Sequence, residues 1–225
     1  SISENKLFPE FNDSIINSID HFVVENIKVS IAFIKKTYPQ KEINYDNFEL
    51  LNEDDPVETS KHLSACIDGK NIGLLSDAGC PNIADPGSKL ILHAHENNIK
   101  VIPLVGPSSI FLAMMGSGLN GNNFSFNGYL PIDENERSRK IKKLEIISLK
   151  NNQSQIFIET PYRNQKLLNE FLKVLNNNTY LCIAKNIGSN NEYIKTKKIH
   201  EWKKLKFTID KEPAIFVFHS GEIIS

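Results

Sequence analysis

Residues 73–88 read GLLSDAGCPNIADPGS, and their pattern indicates an α/β fold. An apolar run over 72–75 predicts a buried strand, and the loop after it is fixed by glycines at 79 and 87 and by prolines at 81 and 86. The apolar residues after Ser88 then predict a helix over 88–97. A strand, a tight loop and a helix in this order are the usual ligand-facing corner of an open α/β sheet, where the start of the helix offers free N–H groups, although Asp-Ala-Gly and Asp-Pro-Gly also occur in plain structural turns.

A second corner of the same kind lies further along the chain. Residues 100–105 form an apolar run that predicts another strand, and an apolar helix follows from Ile110. The loop between them comprises Gly106, Pro107, Ser108 and Ser109. Two such corners in succession predict a βαβ unit with parallel strands, which would place both loops at one edge of the sheet. In the first loop, Asp77 and Asp85 add acceptors for a hydroxyl, an amine or a positive charge.

The composition restricts the function classes. The 225 residues include 26 basic and 27 acidic side chains, and this balance argues against binding a nucleic acid through net charge alone, although a local basic face remains open. No apolar run approaches the roughly 20 residues of a membrane span and no signal peptide is recognisable, so a cytoplasmic protein is expected. The cysteines have no metal-binding spacing, so free thiols and no metal site are expected. They are Cys66, Cys80 and Cys182.

Hydrophobic periodicity predicts an α/β chain of two domains, 1–107 and 108–225. In the first, helices are expected from Asp13 and over 30–37 and 56–68, with strands over 21–25 and 48–51. In the second, strands are expected over 124–129, 155–159, 180–185, 192–196 and 214–219, with helices over 134–149, 164–175 and 199–205.

The predicted helix 134–149 is rich in basic residues within 136–143. They are Arg137, Arg139, Lys140, Lys142 and Lys143. Such a helix could place several cations along RNA phosphates. A solvated helix face is the commoner case, and the neighbouring glutamates Glu134, Glu136 and Glu145 favour it. RNA is therefore one candidate partner.

Six motifs in this sequence, in the same order along the chain, resemble the tetrapyrrole methylase superfamily of S-adenosylmethionine-dependent methyltransferases. They are SDAGCP (76–81), ADPG (84–87), VIPLVGPSS (101–109), SGL (117–119), NGYLP (127–131) and FIETPYR (157–163). Within the superfamily, the chain is most similar to the branch that includes the ribose 2′-O-methyltransferase of small-subunit ribosomal RNA.

The resemblance implies two α/β domains with parallel and mixed sheets, S-adenosylmethionine in a cleft between them, and a homodimer. It also implies methyl transfer to a ribose hydroxyl of ribosomal RNA. The cofactor-binding residues that it implies are Ser76, Asp77, Ala78, Gly79, Ile83, Gly106, Pro107, Ser108, Ser109, Glu159 and Thr160. Two alternatives remain open: a methyltransferase of the same fold that acts on a small, tetrapyrrole-like molecule, and a non-catalytic dimer that binds the cofactor.

Some family elements are altered here. The family's Glu-Asp-Thr-Arg element appears as ENIK at 25–28, and its Arg-Glu-Leu-Thr-Lys element as KNIGS at 185–189. Family members also begin with an apolar strand and a Pro/Gly loop that this sequence lacks, so we expect either that a preceding segment is missing or that the site is incomplete. The catalytic candidates at strand ends are Glu25, Lys28, Glu159, Arg163 and Lys185, although Glu159 and Arg163 could equally form a structural ion pair.

Overall fold

The computed structural model describes residues 8–52, 54 and 56–222. The described residues fall into two compact units, one ending at Ser108 and the other beginning at Ser109. Within this part of the chain, no helix is both long and apolar enough to cross a membrane.

The first unit contains a three-stranded parallel sheet with strand order β2-β1-β3. Its strands are β1 (His21–Val24), β2 (Phe48–Leu50) and β3 (Ile72–Leu75). Its helices are α1 (Phe11–Ser18), α2 (Ile27–Thr37), α3 (Pro56–His62), α4 (Ser64–Ile67) and α5 (Ser88–Glu96). Because all three strands run in the same direction, the residues after β1 and β3 leave the sheet at the same edge, and the first predicted loop begins there.

Close packing at the centre of this sheet explains the glycine in β3. The Phe22 ring stacks on the Phe48 ring with centroids 4.9 Å apart, and Phe22 pairs with Gly73 across β1 and β3. A Cβ atom on Gly73 would lie 2.9 Å from the Phe22 ring, so a larger residue would push the strand away. Gly73, the first residue of the stretch 73–88, therefore lets the central strand β1 approach β3 closely.

Two predictions for the first unit are wrong. Residues 100–105 form no strand, and so the predicted βαβ unit is not formed. Pro103 has no N–H group for a ladder, and Ile102 and Val105 are 53% and 62% exposed, which shows that this apolar run is not buried as a strand would be. The predicted helix 56–68 is instead two helices that break at Leu63.

The second unit contains a five-stranded mixed sheet with strand order β4-β5-β8-β6-β7. Its strands are β4 (Phe124–Phe126), β5 (Ser154–Ile158), β6 (Tyr180–Lys185), β7 (Tyr193–Lys198) and β8 (Ala214–His219). Its helices are α6 (Ser109–Ser117), α7 (Glu134–Asn151), α8 (Asn164–Val174) and α9 (Ile199–Leu205). β4 pairs with β5 in parallel, and the other pairings are antiparallel. The helix predicted over 199–205 is confirmed.

The sequence of β8 explains why the sheet of this unit is covered on both faces. Phe216 and Phe218 contribute to a core that includes aromatic residues of β5, α8 and α9, whereas Ile215 and Val217 contribute to a core built on α6. β8 is buried along its whole length, and its residues are apolar at every position before the terminal His219, as is typical of a central strand. This sheet therefore provides a rigid base for the loops at its edges.

Candidate functional site

The loop after β3 has a backbone that few residue types can adopt. Gly79, Asn82 and Ala84 have φ angles of 82°, 69° and 63°, and Gly87 has a φ of 139°. The Asn82 N–H donates to the Pro86 carbonyl at 3.1 Å, which closes the loop on itself. A Cβ on Gly87 would also lie 3.0 Å from the Leu74 side chain. The loop is therefore a preformed turn, and its Gly79 has open space beside it where a Cβ would lie.

The two loops that the sequence singled out lie against each other within the first unit. The Cys80 thiol donates to the Pro107 carbonyl, with 3.9 Å between Sγ and O. The second loop is also held by Asn12, whose Nδ2 donates to the Val105 carbonyl at 2.7 Å. The Cys80 thiol contact joins the two loops, and the Asn12 side chain of α1 fixes the residue before the second loop, although residues 100–105 form no strand.

Carboxylates from two strand ends converge on the first loop. Oε2 of Glu25 accepts the backbone N–H of Asp77 at 2.7 Å. Burial raises the pKa of Asp85, the nearby charges of Glu25 and Asp77 raise it further, and a hydrogen bond with Ser76 partly opposes the shift. The site thus favours a ligand that carries a positive charge or donates hydrogen bonds. No group of three or more histidine, cysteine or acidic side chains in the described part of the chain has metal-binding geometry.

The ENIK element joins β1 to α2. Asn26 caps α2, because its Oδ1 accepts the backbone N–H groups of Lys28 and Val29 at 3.0 and 3.2 Å. Glu25 lies beside the first loop, because its carboxylate accepts the Asp77 N–H. Lys28 lies in the exposed first turn of α2. The sequence alone did not reveal this capping role of Asn26, although Asn before an apolar helical pattern is a recognisable signal.

In the second unit, Glu159 and Arg163 form an ion pair. Oε1 of Glu159 accepts from Nε and Nη2 of Arg163 at 2.9 and 2.6 Å, and from the backbone N–H of Thr160 at 2.7 Å. The Glu159 side chain is 5% exposed and that of Arg163 is 34% exposed. Of the two interpretations that the sequence left open, the geometry gives the ion pair, which fixes the turn after β5.

Lys185 is engaged elsewhere in the second unit. Its Nζ donates to Oε2 of Glu212 at 2.6 Å, and Nδ2 of Asn186 donates to Oε1 of the same residue at 2.7 Å. These two hydrogen bonds lower the pKa of Glu212. The Lys185 ammonium also lies 5.9 Å from the ring centres of Tyr193 and Phe207. The sequence gave no signal for Glu212, because it lies far from Lys185 along the chain.

The basic segment 136–143 of α7 does not form one cationic face. Arg137 is 5% exposed and its Nη1 donates to the carbonyls of Pro131 and Ile132, so it points into the unit. The other four basic residues are exposed, and Nε of Arg139 donates to the Asn135 carbonyl of its own helix. The interpretation as a row of phosphate contacts must therefore exclude Arg137.

The predicted site residues are divided between the two units. The first unit holds Glu25, Lys28, Ser76, Asp77, Ala78, Gly79, Ile83, Gly106, Pro107 and Ser108, and its two loops are in contact. In the second unit, Glu159, Thr160 and Arg163 contact one another, whereas Lys185 pairs with Glu212. Ser109 begins α6.

The fold is shared with two solved methyltransferase-fold structures. The structure of diphthine synthase matches with a TM-score of 0.64 and 16% identity, over 97% of this chain and 86% of that one. The methyltransferase CobJ matches with a TM-score of 0.56 and 14% identity, over 96% of this chain and 94% of that one. At these identities the likeness defines the fold, and it is the tetrapyrrole methylase fold that the motifs predicted.

Sequence relatives define the family more closely, although no protein-family profile matches the chain. The ribosomal RNA small subunit methyltransferase I of Vibrio cholerae is 31% identical over 180 residues, which is 80% of this chain and 60% of that protein. Those of two Buchnera aphidicola subspecies are similar. The protein of the Schizaphis graminum subspecies is 32% identical over 78% of this chain and 54% of its own length. The protein of the Acyrthosiphon pisum subspecies is 30% identical over 90% of this chain and 71% of its own length.

The chain therefore belongs to the ribosomal RNA small subunit methyltransferase I family. It spans 60% and 54% of the length of the first two relatives named above.

Proposed function

We propose that this protein is a cytoplasmic methyltransferase that uses S-adenosylmethionine to methylate a ribose hydroxyl of small-subunit ribosomal RNA. The family supports the reaction class and the RNA substrate. The observation that carries the proposal is the contact between the two predicted loops, in which Sγ of Cys80 lies 3.9 Å from the carbonyl oxygen of Pro107. This contact joins the second loop to the loop that carries Asp77 and Asp85, and Glu25 binds the backbone of that first loop.

The residues of this corner fit the proposed cofactor. S-adenosylmethionine supplies a methyl group activated on a positively charged sulfur, and it also carries an amine and ribose hydroxyls. Three neighbouring carboxylates complement that charge and accept from those donors. Exposed Ala78, Gly79 and Gly106 leave backbone groups accessible, and Ile83, 47% exposed, offers an apolar surface.

We assign distinct tasks to the carboxylates. Glu25 positions the first loop, because its carboxylate accepts the backbone N–H of Asp77. The Asp77 carboxylate takes no part in this hydrogen bond. The Asp77 side chain is left to bind the cofactor, together with Ser76 and the second loop. Contributions of Ser109, Glu159 and Thr160 to the same cofactor remain predictions from the family motifs, as does a homodimer.

The decisive experiment measures transfer of a radiolabelled methyl group from S-adenosylmethionine to total RNA and to a small tetrapyrrole. Nuclease digestion of the labelled RNA then shows whether the methyl group is on ribose. Label on a ribose of small-subunit RNA would support the proposal. Label on the tetrapyrrole would support the small-molecule alternative, and tight cofactor binding without any transfer would support a non-catalytic binding protein.

The site itself is tested with Asp77→Ala, which keeps the backbone N–H that Glu25 accepts. Loss of one carboxylate contact should weaken S-adenosylmethionine binding at least tenfold by calorimetry, which corresponds to about 1.4 kcal/mol. The matched control is Asp46→Ala, which removes an exposed carboxylate from the 3-10 turn before β2. Unchanged affinity in Asp77→Ala would contradict the assignment of this corner.

A further inference from the structure

A buried arginine with unused donors lines a small cavity in the second unit. The Arg137 side chain is 6% exposed, and its Nε and Nη2 have no hydrogen-bond partner among the described residues. Its Nη1 donates to the carbonyls of Pro131 and Ile132 at 3.2 and 2.8 Å, which fixes the guanidinium in place. An arginine is always charged, and buried charged donors rarely lack acceptors, so this group indicates a missing acceptor.

The nearest carboxylate does not supply that acceptor. Oε2 of Glu170 lies 3.9 Å from Nη2 of Arg137, too far for a hydrogen bond, and Oε1 accepts from the Ser138 hydroxyl. Both side chains are 6% exposed. The pair therefore has favourable Coulombic energy but leaves Nε and Nη2 of Arg137, a residue that lines the cavity, without a hydrogen-bond acceptor among the described residues.

The cavity is cationic and accepts one small group. It is lined by Ile132, Arg137, Glu159, Arg163, Lys166 and Leu167, with a volume of about 30 Å³. That volume holds roughly one oxygen-sized group, which excludes a nucleobase or a sugar ring. The occupant must enter from the surface, where Lys166 is exposed.

The charges around the cavity favour an anion over a cation. The carboxylate of Glu159 is matched by Arg163, and that of Glu134 by Lys173 at 2.9 Å. The carboxylate of Glu170 lies opposite Arg137. The positive charge of Lys166, at the entrance of the cavity, is therefore not balanced by any of these three carboxylates. A buried arginine fork with a lysine at the entrance matches the oxygens of a phosphate.

We propose that this cavity binds a non-bridging oxygen of one phosphate in the substrate RNA, with Arg137 at its base and Lys166 at its mouth. The RNA assignment rests on the proposed function, whereas the anion preference rests on the cavity alone. The site is distinct from the exposed basic residues of α7, because Arg137 points inward. It also gives the Glu159–Arg163 pair a role, since this pair forms one wall.

The test compares RNA binding by the wild type, Lys166→Gln, Arg137→Lys and the control Lys204→Gln. Lys204 is an exposed lysine on α9 that does not line the cavity. Anisotropy of a labelled small-subunit RNA fragment between about 50 and 200 mM salt gives the affinity and its salt dependence. Loss of one phosphate contact should lower the slope of log K against log salt by about 0.7–0.9 in Lys166→Gln, and leave it unchanged in Lys204→Gln.

Arg137→Lys keeps the charge but loses the planar fork, so we expect roughly tenfold weaker RNA binding with unchanged S-adenosylmethionine binding. Thermal unfolding in inorganic phosphate, compared with chloride at equal ionic strength, tests anion binding to the cavity in the absence of RNA. Phosphate should raise the Tm of the wild type and Lys204→Gln more than that of Arg137→Lys.

The outcomes separate the two proposals. A wild type that methylates RNA, with the same affinity and slope in all four proteins, would overturn the phosphate cavity and leave the proposed function intact. A phosphate-dependent rise in Tm with unaltered RNA binding would overturn the RNA assignment. A reduced slope in Lys166→Gln without any methyl transfer by the wild type would support the cavity and contradict the proposed function.

Discussion

The Glu159–Arg163 contact allows a structural effect to be separated from a functional one. Three N–H groups converge on Oε1 of Glu159, two from Arg163 and one from Thr160. Because Glu159 is 5% exposed and Arg163 34% exposed, removal of the guanidinium leaves a nearly buried charge that water reaches only in part. The stability cost should therefore depend on which partner is removed.

The expected costs follow from that geometry. Breaking a buried pair costs about 3–5 kcal/mol, and the partial exposure of Arg163 lowers this to about 2–3 kcal/mol for Arg163→Met. Glu159→Gln should cost about 1–2 kcal/mol, since the amide oxygen still accepts N–H groups but the charge assistance is lost. In the double variant no charge is left unpaired, so its cost should fall below the sum of the single costs by about 1–2 kcal/mol.

Urea unfolding measures these costs, with Trp202 as the probe. Trp202 is the single tryptophan in the sequence and is buried in the second unit, so its fluorescence reports on the unit that contains the pair. Lys173→Met serves as the control, because the side chains of its pair with Glu134 are 65% and 55% exposed, and solvent screening should leave this pair with little effect on stability. Additive costs in the double variant would refute the ion-pair reasoning. Full stability with lost cofactor binding in Glu159→Gln would assign this residue to the cofactor instead.

Two further predictions concern titratable groups. Burial lowers the pKa of His219 below its usual 6.5, so the unfolded chain takes up the proton first, and the free energy of unfolding should decrease as the pH falls below 6.5. Urea unfolding of the second unit at several pH values should show this decrease in the wild type and in His200→Gln, and a flatter profile in His219→Gln; equal slopes in all three would exclude His219 as the cause. Burial raises the pKa of the Cys182 thiol, so it should be alkylated slowly with or without ligand, whereas S-adenosylmethionine should slow alkylation of the half-buried Cys80. Mass spectrometry of the alkylated protein checks this, and equal rates for Cys80 with and without cofactor would place the cofactor elsewhere.

Local signals in the sequence were sufficient for most elements. β8 was predicted over 214–219 from the apolar run 214–218, and it lies at the centre of its sheet with both faces covered. The apolar run at 100–105 looks alike but forms no strand, because a strand also needs a partner with which its N–H and C=O groups can pair. Pro103 removes one such group, and no periodicity reveals whether a partner exists. Apolar runs therefore predict burial better than they predict sheet membership.

The same limit applies to the site. Glu159 and Arg163 are four residues apart, and that spacing was enough to raise an ion pair as one of two interpretations. Glu212 could not be predicted as the partner of Lys185, because β6 and β8 must first pair before the loops at their ends meet. Arg137 was misjudged for a related reason, since its orientation depends on the turn at Pro131 and Ile132 and not on its own helix.

These placements also change the meaning of the balanced net charge. A formal charge of −1 argues against binding RNA through net charge, but it is a sum over groups that the fold keeps apart. Carboxylates gather at the loops of the first unit, where Glu25, Asp77 and Asp85 lie together, whereas the cavity with Arg137 and Lys166 belongs to the second unit. A cationic methyl donor and an anionic substrate can each find a complementary surface on such a chain. Since few phosphates would then be neutralised, RNA binding should depend on salt through a small number of contacts, with specificity set by the shape of the RNA as well.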